Sequence, residues 1–167
     1  MSEFSESWIL RSKNNEDTRS ILQKAGIGGY FATTDDWAIV LTEQERELLR
    51  AFPDIIIRYN FAENHGMWLN VFDGGTQIAE YSCEFEEMDE DDVASGINDS
   101  SISVADFAGI LGCSEPDLSN ALHPSTIEDA FEINRPFMAL LGIPAEMYEW
   151  VSFNYAADRD DDTFTKI

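Results

Sequence analysis

Glu63 and His65 stand two residues apart in YNFAENHGMWLNVFDGG, the stretch from Tyr59 to Gly75. A carboxylate next to an imidazole is a normal pairing for general acid–base work or metal ligation. Cys83 is the third member such a site could recruit, as a thiol activated by a nearby imidazole. A zinc centre needs three or four ligands, however, and the chain holds only one further histidine, His123. In the register expected for these strands Cys83 lies opposite Gly66, one residue from His65. Neighbouring strand residues point to opposite faces, so the thiol and the imidazole should diverge. Asn64 and Gly66 are ordinary bend residues, and the plain use of Glu63-Asn64-His65-Gly66 is to close a hairpin. His123-Pro124 ends a helix, where an imidazole caps carbonyls and suits the dipole.

Other chemical motifs are incomplete. Asp158-Arg159-Asp160-Asp161-Asp162 opens like a calcium loop but lacks the glycine required at the sixth position. There is no phosphate-cradling glycine loop, no GxSxG and no HExxH, and no cofactor is expected.

The elements that must position these residues read as mixed α and β. Ser7 to Lys13 suits a strand, and Asn14 or Asn15 caps a helix through Ala25 that stops at Gly26. Two short β-rich runs flank Thr34-Asp35-Asp36 as a hairpin. Thr42-Glu43-Gln44-Glu45 fits a capping box for a helix whose inner face is Leu48, Leu49 and Phe52. Three strands follow: 54–61, 67–72 and 76–85. With Gly74-Gly75 at the centre of one turn and Glu63-Asn64 at the centre of the other, Tyr59, Trp68 and Tyr81 form one cross-strand row. Ser103 and Ser114 cap two helices, and a third from about Ser125 must kink or split at Pro136. FAGILGCS from Phe107 and FMALLGIP from Phe137 echo one another, as two helices stopped alike by Gly112 and Gly142 would. Tyr148 to Tyr155 reads as a strand that rejoins the sheet.

Charge is the strongest constraint on partners. Thirty-three acids against ten bases give −23, which repels phosphate backbones and anionic lipids, so neither nucleic acid nor membrane is an expected partner. The acidic surface expected to meet a partner comprises Glu84, Glu86, Glu87, Asp89, Glu90, Asp91 and Asp92, with Asp158, Asp160, Asp161 and Asp162. Asp106 to Leu122 has helix-turn-helix spacing, yet its second helix begins Glu115-Pro116-Asp117 and carries no cation, which argues against DNA. No run is long enough to span a membrane, and MSEFSESWIL lacks the basic start of a signal peptide. Two cysteines without CxxC spacing fit free thiols in a cytoplasmic protein.

YNFAENHGMWLNVF, FMALLGIP and YEWVSFNY together resemble small acidic bacterial proteins of uncharacterised families, some of them similar to immunity proteins of polymorphic toxins. That resemblance implies a protein-binding role and transfers no catalytic residue. The expected fold is α+β: a mainly antiparallel sheet with two N-terminal helices, a C-terminal helical lobe and a final strand returning to the sheet. The expected organisation is a sheet region over 1–86, an acidic linker or loop over 87–101, a helical lobe over 102–147 and a strand at 148–157 rejoining the sheet, with a single domain overall as the alternative. The favoured function is a non-enzymatic binding or inhibitor protein that engages a basic partner. The alternatives are an enzyme or metal-dependent hydrolase using Glu63, His65 and Cys83, and a domain whose acidity serves solubility alone.

Overall fold

A computed structural model describes residues 4–12, 14–85, 89–95, 98–158 and 162–167. Its centre is an eight-stranded sheet in the order β7-β6-β5-β4-β1-β3-β2-β8, and every pairing is antiparallel. The strands are β1 (Phe4–Arg11), β2 (Tyr30–Thr33), β3 (Trp37–Leu41), β4 (Ile56–Ala62), β5 (Gly66–Asp73), β6 (Thr76–Glu84), β7 (Asn98–Ser100) and β8 (Thr165–Lys166). The helices are α1 (Asn15–Lys24), α2 (Glu45–Ala51), α3 (Glu90–Ser95), α4 (Val104–Leu111), α5 (Glu115–Leu122), α6 (Ile127–Phe131), α7 (Asn134–Leu140) and α8 (Phe153–Asp158). The fold is α+β.

Alternation along the strands sends apolar side chains to both faces. On one face Trp8, Leu10, Phe31, Val40, Ile56 and Phe72 pack against Leu22 of α1 and Leu48 of α2. On the other, Ile9, Ile57, Tyr59, Leu69, Val71 and Tyr81 meet Phe107, Leu118, Phe137 and Met138 of the later helices. Full burial of each such side chain stabilises the fold by about 1.5–3 kcal/mol, so the sheet is clamped between two helical layers.

Local signals set the helix limits as expected. The side chains of Asn14, Ser103 and Ser114 accept from the backbone N–H groups of Asp17, Asp106 and Asp117. Gly112 and Gly142 sit at φ 75° and 69°, and the residues after them, Cys113 and Ile143, bond back to Ala108 and Met138. The two echoed segments are therefore helices with the same left-handed stop. The helix expected from Ser125 is split before Pro136 into α6 and α7. The start of α2 differs from a capping box. Thr42 Oγ1 donates to the Gly28 carbonyl and Gln44 Oε1 accepts from Gly28 N–H, so these side chains tie α2 to the end of α1 instead.

Four expectations are corrected. The Gly74-Gly75 turn pairs Phe72 with Gln77 as foreseen, but a bulge at Ile78 shifts the rest of β6 by one, so Trp68 faces Ser82 and not Tyr81. The other hairpin has a three-residue turn, Glu63 to His65, with Ala62 opposite Gly66 and Asn64 left-handed at φ 70°. The row is thus Tyr59, Leu69, Tyr81, and Trp68 points to the other face. The stretch expected as a linker contains α3 and β7. Tyr148 to Tyr155 is not a strand: a 3₁₀ turn (Ala145–Met147) leads to α8, and the strand that returns to the sheet is β8, against β2. Val151 touches the sheet by backbone, accepting from Glu6 N–H at 2.8 Å where β3 no longer flanks β1.

Candidate functional site

The three residues offered for catalysis do not converge. Glu63 and His65 are exposed on the β4–β5 turn, whereas Cys83 has no exposure and sits opposite Met67 in the core beneath the helical layer. Burial pushes the Cys83 thiol up to about 11, with the bond to Tyr81 acting the other way. That direction opposes what a nucleophilic thiolate needs. Among the described residues no group of three or more His, Cys, Asp or Glu side chains is arranged to hold a metal. His123 Nδ1 lies 2.8 Å from the Ser119 carbonyl, closing the end of α5. The first turn of α5, Glu115 to Asp117, is exposed with its two carboxylates outward.

The acidic positions offered for a partner are dispersed. Glu84 lies in β6, beside one edge of the sheet. Asp89 precedes α3, where its carboxylate accepts from the N–H groups of Asp91 and Asp92, and Glu90 opens the helix. Asp158 ends α8 and Asp162 precedes β8 at the opposite edge. Glu86, Glu87, Asp160 and Asp161 lie outside the described residues.

The register exposes a surface that the sequence reading missed. Beyond the area covered by α1 and α2, the same sheet face continues across β1, β4, β5, β6 and β7, with Asn60, Trp68, Asn70 and Ser82 half-buried and Glu80, Glu84 and Asp99 exposed. One row runs Glu6, Asn60, Trp68, Ser82, Asp99. The adjacent rows are Phe4, Ala62, Gly66, Glu84 and Trp8, Arg58, Asn70, Glu80. The signal was present as polar residues at every second position, Arg58 and Asn60, Trp68 and Asn70, Glu80, Ser82 and Glu84. It was legible only with both hairpin registers correct.

This face has an aromatic centre and an acidic border. Trp68 Nε1–H donates to Glu84 Oε1 at 3.1 Å, and its ring lies over Gly66. A β-carbon there would come within 3.1 Å of the indole and 2.6 Å of the Cys83 carbonyl oxygen, so only glycine fits. Trp68, Asn70, Glu80, Ser82, Glu84 and Asp99 line a depression of about 230 Å³. A second hollow of about 240 Å³ adjoins Phe4, Glu6 and Glu43. Arg58, the cation of the face, donates to Glu6 at 3.0 Å, lies 3.9 Å from Glu45 and stacks 5.5 Å over Trp8. Its charge is spent within the protein, leaving Glu80, Glu84 and Asp99 around the tryptophan without that cation. No helix among the described residues is long and apolar enough to cross a membrane. Comparison with protein families, with characterised proteins and with solved structures finds no match to this chain.

Proposed function

We propose that the protein is a non-enzymatic binding or inhibitor protein that engages a basic protein partner. The observation that carries this reading is the fate of the charge on folding. Among the described residues no Asp or Glu is buried. Thirty-three acids against ten bases leave a net −23 that no base in the chain can balance. Arg58 and Arg135, the bases in the ion pairs described, engage Glu6, Glu45, Glu132 and Glu149. The remaining field extends outward and speeds encounter with a positively charged surface. Charge alone gives little affinity, so an aromatic anchor must supply the rest, and half-exposed Trp68 is suited to it. A toxin with nuclease activity is the kind of partner that such a surface fits, because a surface that holds phosphate must itself be basic.

Affinity capture from the cell of origin, followed by reconstitution with the purified captured protein, tests the reading. A basic protein should be retained at low salt and lost above about 0.5 M, where the Debye length falls to a few ångströms. If nothing is retained at any salt, or if retention ignores salt, the reading fails and acidity serves solubility alone.

A further inference from the structure

The geometry points to one docking surface for that basic partner: the sheet face of β1, β4, β5, β6 and β7 beyond α1 and α2, with a single Arg or Lys side chain of the partner seated in the depression beside Trp68. The inference rests on the binding reading above and specifies where and how the partner is held.

Three observations support this occupant. The first is charge complementarity. Glu6, Glu80, Glu84 and Asp99 border the face against one guanidinium, Arg58, which Glu6 and Glu45 already neutralise. The second is the shape and chemistry of the hollow. At about 230 Å³ it lies below the size of cofactor and drug-like pockets, which start near ~300 Å³. A long side chain suits it better than a small-molecule ligand. The indole of Trp68 lines it and can attract a cation through its π-system, and Glu80 and Glu84 offer carboxylates at the charged end. The third is rigidity. Trp68 is fixed by Glu84 and by the close fit over Gly66, and Ser101 Oγ accepts from the Glu80 N–H at 2.9 Å, holding the wall of the hollow to β6. A preformed anchor costs little ordering on binding.

The scattered acids elsewhere lack this combination. Asp89 uses its carboxylate to cap α3, and Glu115 and Asp117 stand at a helix start where they complement its dipole.

The test is a titration of the full-length, ¹⁵N-labelled chain with a capped tetra-arginine peptide at low salt. The Trp68 indole N–H and the amides of Asn60, Trp68, Ser82 and Asp99 should shift along one saturable curve. Glu80→Gln/Glu84→Gln should weaken binding about ten-fold, which corresponds to 1.4 kcal/mol. Glu128→Gln/Glu146→Gln removes the same charge from exposed positions on the helical side and should weaken it less than about two-fold. Trp68→Phe, which keeps an aromatic ring in place, should weaken it by about three-fold as the better cation-binding ring is lost. Equal weakening by the two charge-matched pairs, or shifts centred elsewhere, would overturn the surface assignment. The binding reading would survive that result if the captured partner still bound. Concentration-dependent shifts of the same resonances without peptide would make a second copy the occupant and also overturn it.

Discussion

The helical layer is tied to the edge of the sheet through one carbonyl, and this predicts a non-additive pair of substitutions. Leu122 ends α5, and its carbonyl has no successor in the helix to donate to it. Tyr81 Oη–H donates to it at 2.6 Å from β6, and Asn98 Nδ2–H donates at 3.0 Å from β7. Tyr81 is 3% exposed and Leu122 is 1% exposed, so water cannot readily replace the first bond. Tyr81→Phe removes this bond and the hydroxyl's weak bond with the Cys83 thiol while Asn98 still satisfies the acceptor, a loss of about 1–1.5 kcal/mol. Asn98→Ala, at the more accessible partner, should lose about 0.5–1 kcal/mol. The double variant strands a buried carbonyl, whose desolvation adds about 1–3 kcal/mol. It should therefore be destabilised by at least about 1 kcal/mol more than the sum of the single changes. Urea unfolding followed by far-ultraviolet dichroism and by tryptophan fluorescence measures all four corners of the cycle. Strict additivity, within about 0.3 kcal/mol, would refute the idea that these two strands share the task of capping α5.

Arg11 makes a second tie. Its Nη2 donates to the Ile110 and Leu111 carbonyls at 3.0 and 2.8 Å while the guanidinium lies 5.0 Å over Trp37. Arg11→Met keeps the aliphatic stem and should cost about 2 kcal/mol, lowering Tm by about 4–8 °C, whereas a loss under about 0.5 kcal/mol in the melt would show the contact to be incidental. The two thiols should separate cleanly, because Cys83 is buried and Cys113 half-buried. A thiol reagent should modify only Cys113 in the native protein and both on unfolding, and rapid native modification of Cys83 would contradict its placement. Alkali should also destabilise the fold through Cys83. Its pKa rises from 9.0 unfolded to about 11 folded, so the unfolded chain gives up the proton first. The protonated thiol's contribution is full below pH 9 and falls as pH climbs toward 11, by roughly 3 kcal/mol in all. Cys83→Ala should flatten that part of the pH–stability curve in urea unfolding series, and an unchanged slope would assign it elsewhere.

Much of the fold was legible because it rests on local chemistry. The side chains of Asn14, Ser103 and Ser114 announce helix starts, Gly112 and Gly142 announce stops, and Pro136 cannot sit in a helix interior, so the helix breaks ahead of it and Pro136 falls in the first turn of α7. These effects act within a turn of chain and need no knowledge of the partner strand. The registers were not legible for the opposite reason. One extra residue in the Glu63 to His65 turn and one bulge at Ile78 move Trp68 from the core row to the open face. The aromatic ring of Trp68 fits either face, and the alternation of Arg58, Asn60 and Asn70 with Tyr59, Phe61, Leu69 and Val71 becomes decisive only once both turns are placed. YEWVSFNY carries β-favouring residues yet does not enter the sheet as a strand. Tyr148 and Val151 instead drop into the core as single anchors, and the backbone turns at Trp150 with φ 56°. Tertiary context thus overrides propensity there. The candidate site was lost with the register, since its rows exist only after the strands are correctly aligned.

Calorimetric titration of the captured, purified basic partner into the protein across a salt series measures the central claim most directly. The account predicts saturable one-to-one binding whose logarithm falls linearly with the logarithm of salt, as released counter-ions require, and a shallower slope for Glu80→Gln/Glu84→Gln. Affinity that stays level from low to high salt, or heat without saturation, would contradict it.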